Sequence, residues 1–383
     1  MKSMKEVVTA KIAQKLQKGY SNAVSATTRL QEEGKVSKDF IFEVGTERKG
    51  ITTNIDFFPD PQGKVGSVFH FPKDNPNGLR GDHQFNVHIH AIRQVADKLK
   101  IPPVYLTNLL MGDEWQRTLA YNIMNTHNGW TSRDKVLVRA IGDQVRAFLS
   151  DQYRPLDSEM IFGSHIDEVY ENGGQLSDGF MDDTRIMVES MLPQPIEVQT
   201  ELNGEIFLAF GTRLASSDYG DGALELRSFV LQGICLNGMV RESVLRAVHL
   251  GAKLPTSLGL SRETYALDSK TTASAIRDLT KNLYGHEVIR NRMLEIKAAS
   301  SLTVDPGKEL KNMVALQKLL KGESEEIGQM LMRNNPEDGL QGESTLWKLS
   351  QGITAFANKE DISERRRMEL QEIAGDLFNR VKN

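Results

Sequence analysis

The stretch Lys135–Ser150, KVLVRAIGDQVRAFLS, constrains the fold more than any other part of the chain. Two runs of alternating apolar residues flank Gly142-Asp143, and a two-residue loop that begins with glycine suits a type II′ hairpin turn. Pairing outward from it sets Ile141 against Gln144, Ala140 against Val145 and Arg139 against Arg146. The period of two then sorts the faces. One face holds Val136, Val138, Ala140, Val145, Ala147 and Leu149 and is expected to be core; the other holds Lys135, Leu137, Arg139, Ile141, Gln144, Arg146 and Phe148. Like charges directly opposite one another destabilise a sheet, so the arginines need a counter-charge. A phosphate backbone would supply it, with Phe148 as a stacking surface for a base. The other source is this protein's own acids: Asp157 to Ser190 carries nine of them against one base, Arg185. The sequence leaves both open.

Charge decides little globally. The 383 residues carry a net charge of −4, with 39 % hydrophobic and 26 % charged residues. That balance belongs to a globular chain able to bury a core. No overall field draws it to DNA or an acidic membrane, so any nucleic-acid site must be local. Charge does segregate: Arg241–Arg292 holds nine Lys/Arg against five acids, a pattern that a solvated helix face explains as well as a binding stripe does. The only cysteine is Cys235, so no intrachain disulfide is expected and a reducing, cytoplasmic setting in a bacterial host is. The first twenty residues have lysines but no continuous apolar stretch, and neither a signal peptide nor a membrane span is expected there.

Along the chain, residues 4–33 carry apolar positions at helical spacing, and residues 38–72 change to β-like runs, FIFEVGT and SVFHF, around the turn cluster DPQGK. FPKDNPNGLRGDH reads as a loop, NVHIHAIRQVADKLKIPP as a helix closed by Pro102 and Pro103, and Asp113–Met124 as another helix. Strands dominate from Lys135 to about Val240, interrupted by a helix over Asp157–Glu171 that Asp157 is placed to cap. Beyond Leu260 the pattern is helical almost throughout. The expected fold class is α+β: a central, mostly antiparallel sheet with flanking helices and a helical C-terminal third. The expected division is an extension over 1–80, a central α+β domain over 81–260 and a helical region over 261–383.

Motifs that carry chemistry are few. His83, His88 and His90 in HQFNVHIH approach metal-ligand spacing, but no further ligand accompanies them and structural histidines at a helix start are expected. In SSDYGDGA, Asp218 and Asp221 suit a cation, yet Ser, Asp and Gly are also what a turn requires, and a turn is expected. Cys235 lies late in an apolar run and reads as an inert buried thiol; His249 and Asp218 have no spacing that makes them its partners. Phosphate-loop, dinucleotide, nucleophile-elbow and paired-cysteine motifs are absent, so nothing argues for an enzyme and no cofactor is expected.

VRAFLSDQYRPLD (Val145–Asp157), SSDYGDGALELRSFVLQGICLNGMV (Ser216–Val240) and HLG (His249–Gly251) resemble the phage/plasmid-like protein family, a family defined by a domain of unknown function. Weaker likenesses lie in HAIRQVADKLKIPPVYL and TLWKLSQGITAFA, so the resemblance spans most of residues 88–357. It implies carriage on phages, prophages and plasmids, hence nucleic-acid metabolism, host takeover or anti-defence. The order of hairpin, helix, strands and C-terminal helices is also similar to that of RecT-type single-strand annealing proteins. The expectation is a single-strand binding or annealing protein, DNA before RNA, acting as a homo-oligomer. Lys135, Arg139, Arg146 and Arg154 would contact phosphates and Phe148 or Tyr153 would stack, with Arg213 and Arg227 extending the surface if the sheet order allows. The alternatives are an assembly module without nucleic-acid activity and a metal-dependent enzyme.

Overall fold

The computed structural model describes residues 3–44, 54–60, 63–71, 80–130, 134–150, 153, 156–233, 235–247 and 262–382. The chain opens with α1 (Met4–Val36), started by a Ser3–Glu6 capping box, and passes directly into β1 (Ser37–Val44). Next come β2 (Ile55–Pro59), β3 (Val65–Phe71), β4 (Gly81–Val87), α2 (Ile89–Lys98), α3 (Pro103–Leu110), α4 (Glu114–Trp130), β5 (Asp134–Ile141) and β6 (Gln144–Ser150). The six strands form one sheet in the order β1-β5-β6-β4-β3-β2, antiparallel except where β4 runs parallel to β6. Residues 81–83 thus begin a strand rather than end a loop, and β4 pairs with β3 from Phe71 opposite Gly81 to Gly66 opposite Asn86. Pro103 opens α3 instead of only closing the helix before it, because a proline at the first helical position sacrifices no hydrogen bond. Helices α2 to α4 cover one face of the sheet over a core rich in phenylalanine, including Phe40, Phe57, Phe69 and Phe85.

After α5 (Ser158–Glu171) a second sheet follows: β7 (Gln175–Met181), β8 (Ile186–Met191), β9 (Ile196–Thr200), β10 (Gly204–Ser216), β11 (Leu224–Gln232) and β12 (Asn237–Ala247). Its order is β12-β11-β10-β8-β7, with β9 also on β10. Alternation along β10 sends Phe207 and Ala209 toward Val8, Ile12 and Leu16 of α1. Ile206, Leu208 and Phe210 point the other way, into the C-terminal helices. Those are α6 (Arg262–Leu283), α7 (His286–Ser301), α8 (Pro306–Ala315), α9 (Lys321–Arg333), α10 (Leu346–Ala357) and α11 (Glu364–Asp376). Helix α10 is buried nearly all round, its polar residues Lys348, Ser350, Gln351 and Thr354 included. The α+β class with a helical C-terminal part holds, although the central sheet is two sheets. No helix among the described residues is long and apolar enough to cross a membrane.

The hairpin turn falls where expected, with Gly142 at φ 61° and Asp157 further on capping α5 through Met160 N–H. The register, however, differs from simple outward pairing. Ala140 faces Val145, but Arg139 faces Ala147, so Arg146 is the extra residue of a β-bulge. A single inserted residue inverts the parity of everything beyond it. Phe148 therefore turns into the core, 2 % exposed, where its ring stacks on Phe69 at 5.9 Å. Ala147 and Leu149 move to the opposite face and join Leu137, Tyr153 and Tyr219. The expected stacking surface at Phe148 does not exist.

Candidate functional site

The second face of the hairpin is not a solvated edge but one wall of a junction between the two sheets. Helix α1 builds the other wall. It lies so closely across β7 that a Cβ added to Gly19 would fall 1.7 Å from the Ser177 carbonyl oxygen. Docked there, α1 runs on past the end of the second sheet and turns into β1 of the first. That path places Glu33, near the end of α1, and Asp39, in β1, beside the two arginines.

Arg139 is 7 % exposed and clamps Asp39 with two hydrogen bonds, Nε at 2.8 Å and Nη2 at 2.7 Å, while Nη1 donates to the Asp218 carbonyl at 2.9 Å. Burial opposes the charge, but the bonds to Asp39 and its field outweigh burial and raise the pKa, so the guanidinium stays protonated. The bulge aims Arg146 separately: its Nη1 donates to Glu33 at 2.8 Å. Glu33 also accepts from Arg29 Nε at 2.9 Å and from the Tyr219 hydroxyl at 3.2 Å. Tyr153 is buried, donates to the Ser217 carbonyl at 3.3 Å and sits under Arg139, 5.9 Å from ring centroid to guanidinium. Burial drives the Tyr153 and Tyr219 phenols upward, so both remain neutral donors. The counter-charges are thus Asp39 and Glu33, which lie outside the acidic stretch expected to supply them; that stretch contributes only Asp183, 3.9 Å from Arg146.

The loop Ser217–Ala223 between β10 and β11 is the hub. It is the expected turn, with Gly220 at φ 77°, and a side chain there would meet Leu149 and Gln94. The Tyr219 carbonyl accepts from His90 Nε2 at 2.9 Å and from Gln94 at 2.8 Å, and Gln94 in turn accepts from the Phe148 N–H at 2.7 Å. Asp221 accepts from Thr184 and pairs with Arg185 and Arg365. The hairpin's second strand and the loop between β10 and β11 therefore meet here. Between them a cavity of about 330 Å³ is lined by Glu33, Gly34, Ser37, Arg139, Ser158, Glu159, Arg185, Ser216 and Asp218 among others.

The remaining expected site residues lie elsewhere. Arg213 and Arg227 belong to the second sheet, so the sheet order does not let them extend the hairpin surface. They face each other in register, the like-charge pair expected at Arg139 and Arg146. Arg213 is fully buried on Glu189 and Gln371; Arg227 binds Glu225 at 2.6 Å and lies 3.4 Å from Glu372. Lys135, half-buried, stands opposite Glu43 in register. Arg154 and His249 lie outside the described residues. In the basic segment, Arg241 and Arg292 are buried on Glu295 rather than presented to solvent.

The three histidines are each bound separately. His83 donates to the Arg80 carbonyl at 3.1 Å, His88 caps α2 by accepting from His90 N–H, and His90 reaches Tyr219. Burial lowers the His88 pKa despite Asp183 at 3.3 Å. Among the described residues no group of three or more His, Cys, Asp or Glu is placed to hold a metal ion. Cys235 sits in the turn between β11 and β12, half-buried, not within an apolar strand.

Two features had no reading in the sequence. One is a buried polar chain in which Tyr284 donates to Ser190 at 2.8 Å, Ser190 and Thr212 share a bond of 2.7 Å, and His165 links Thr212 at 3.3 Å to Thr280 at 2.9 Å. Burial pushes the His165 pKa down to about 3. The other is an apolar ridge on the outside of α3 and α4: Val104, Tyr105, Met111 and Trp115 are exposed, although the helices bury Leu106, Leu109, Ala120, Tyr121 and Met124 behind them. The spacing Val104, Asn108, Met111, Trp115, Leu119 steps by three or four and was the signal available. No family model, curated protein or solved structure matches the chain.

Proposed function

We propose that this chain is an assembly module of a phage or plasmid, binding another copy of itself or a second protein through the outer face of α3 and α4. The ridge there is what supports the reading. Val104 is 74 % exposed, Met111 79 % and Trp115 64 %, on helices anchored from behind by core residues. Exposed apolar groups that cluster are characteristic of contact surfaces, and Trp, Tyr and Met are the side chains such surfaces favour. A polar rim of Asn108, Asp113, Glu114 and Arg117 surrounds them in sequence. The resemblance to phage/plasmid-like proteins supplies the setting, host takeover or anti-defence.

Single-strand binding in replication, recombination or annealing is the second reading, moved from the hairpin to this face. The hairpin arginines no longer support it, because Asp39 and Glu33 meet their charges. Tyr105 and Trp115 offer exposed rings, with Lys100 and Arg117 exposed nearby in the sequence, the combination that stacks bases and holds phosphates.

Sedimentation of the wild-type chain and of Met111→Ser with Trp115→Ser, with and without a labelled single-stranded oligonucleotide at two salt concentrations, separates these readings. Self-association that the double substitution weakens by about tenfold or more, as loss of a buried aromatic anchor does, is the expected result. A wild-type chain that stays monomeric but binds single strands in a salt-dependent, Trp115-dependent manner selects the second reading. Neither behaviour would sink both.

A further inference from the structure

We infer that the cavity between the two sheets binds a primary ammonium group, with the Asp218 carboxylate as its counter-charge. Around this cavity most charges are already matched: Arg139 by Asp39, Arg185 by Asp221, Glu33 by Arg146 and Arg29. Asp218 is the exception. Its Oδ2 lies 4.0 Å from Arg139 Nη1, on a guanidinium whose other nitrogens are taken by Asp39. Its Oδ1 is buried and has no hydrogen-bond partner.

Two serines that line the same cavity repeat the deficiency. Ser216 is 3 % exposed and Ser158 5 %, and neither hydroxyl has a partner. Native interiors leave few polar atoms unsatisfied, and three around one cavity call for a ligand. A buried carboxylate oxygen without a donor costs more than a neutral group would.

The chemistry selects the ligand. The unmatched charge is negative, and Asp157 and Glu159 at the start of α5 add to it, meeting the positive end of that helix themselves. An anion is therefore disfavoured. A hard metal ion lacks the ligand set, since no group of three carboxylates or other such donors is assembled among the described residues. An ammonium carries three donors and no acceptor, which suits one carboxylate oxygen and two hydroxyls. Such a group comes either from a free polyamine or from a lysine side chain of a partner. This site is separate from the α3–α4 face and does not depend on its role.

The test is calorimetric titration of the full chain with cadaverine at fixed ionic strength, against pentane-1,5-diol as the uncharged counterpart and Nα-acetyl-lysine methylamide as the side-chain mimic. Saturable binding of an ammonium probe, no binding of the diol, and about tenfold or greater weakening in Asp218→Asn are expected, since a charge-assisted bond is lost. Ser216→Ala should weaken binding less, and circular dichroism checks that both variants are folded. The tighter of the two ammonium probes identifies the source. Equal binding by wild type and Asp218→Asn, binding of the diol, failure of both ammonium probes, or an Asp218-dependent response to magnesium in their place would each overturn the proposal.

Discussion

The junction between the sheets and the outer face of α3–α4 reverse the usual distribution of side chains in opposite senses. At the junction Arg139, Arg146 and Glu33 are buried, each with an opposite charge within 2.8 Å. On α3–α4, valine, methionine and tryptophan are turned to solvent while the helices keep a separate apolar face for the core. The difference lies in what completes each region. The charges of Arg139 and Arg146 are completed from within the chain, by Asp39 of β1 and Glu33 of α1; the ridge has nothing of this chain over it among the described residues. The first arrangement holds two sheets together, and the second is available for something else.

That contrast can be broken most directly at Asp39. Asp39→Asn leaves Arg139 buried with only the longer Asp218 pair, at 4.0 Å, to meet its charge, and breaking one side of a buried pair costs roughly 3–5 kcal/mol. Urea unfolding should show the midpoint falling accordingly. A loss under about 1 kcal/mol, the range of an exposed pair, would place the junction among ordinary surface contacts.

Acid sharpens the comparison between ionised and neutral buried groups. His165 has a folded pKa of about 3 against an ordinary value of 6.5, so between those pH values the unfolded chain binds the extra proton. Stability from this group is complete above pH 6.5 and falls as pH drops toward 3, by about 1.4 kcal/mol per unit, or about 2 kcal/mol at pH 5. His165→Gln, which keeps a hydrogen-bonding side chain, should flatten that slope in unfolding curves taken from pH 7 to pH 5. A slope unchanged by the substitution assigns the acid sensitivity to other groups.

The smallest expected effect belongs to the ridge. Met111→Ser with Trp115→Ser removes side chains that the core does not use, so the stability of the isolated chain should change by no more than about 0.5 kcal/mol. A larger loss in thermal unfolding at low protein concentration would mean that the ridge belongs to the fold.

Local signals carried the sequence reading a long way. Gly142, at φ 61°, made the hairpin turn legible, Asp157 marked a helix start, and Ser216–Ala223 read as a turn, which the structure has from Ser217. The bulge at Arg146 was not legible, because AFL after it is apolar at every position and fits either face equally. The parity shows only in contacts distant in sequence, Arg146 on Glu33, 113 residues earlier, and Phe148 on Phe69. The division into two sheets was hidden for a similar reason: alternation identifies strands but not which strands pair. Nor does a run of acids reveal which of them will stand beside an arginine, and here the partners came from the N-terminal helix and first strand instead.

The close seat of α1 on β7 has a consequence for the order in which the chain can be completed. Asn22 and its partner Asp178 are 156 positions apart, and β1 must likewise wait for β5. During synthesis α1 therefore emerges long before the strand that it packs against exists. Its apolar stripe of Val8, Ile12 and Leu16 stays uncovered through that interval, and contacts so distant in sequence form slowly. Helix α1 is thus made before the strands it packs against and can lock only after them.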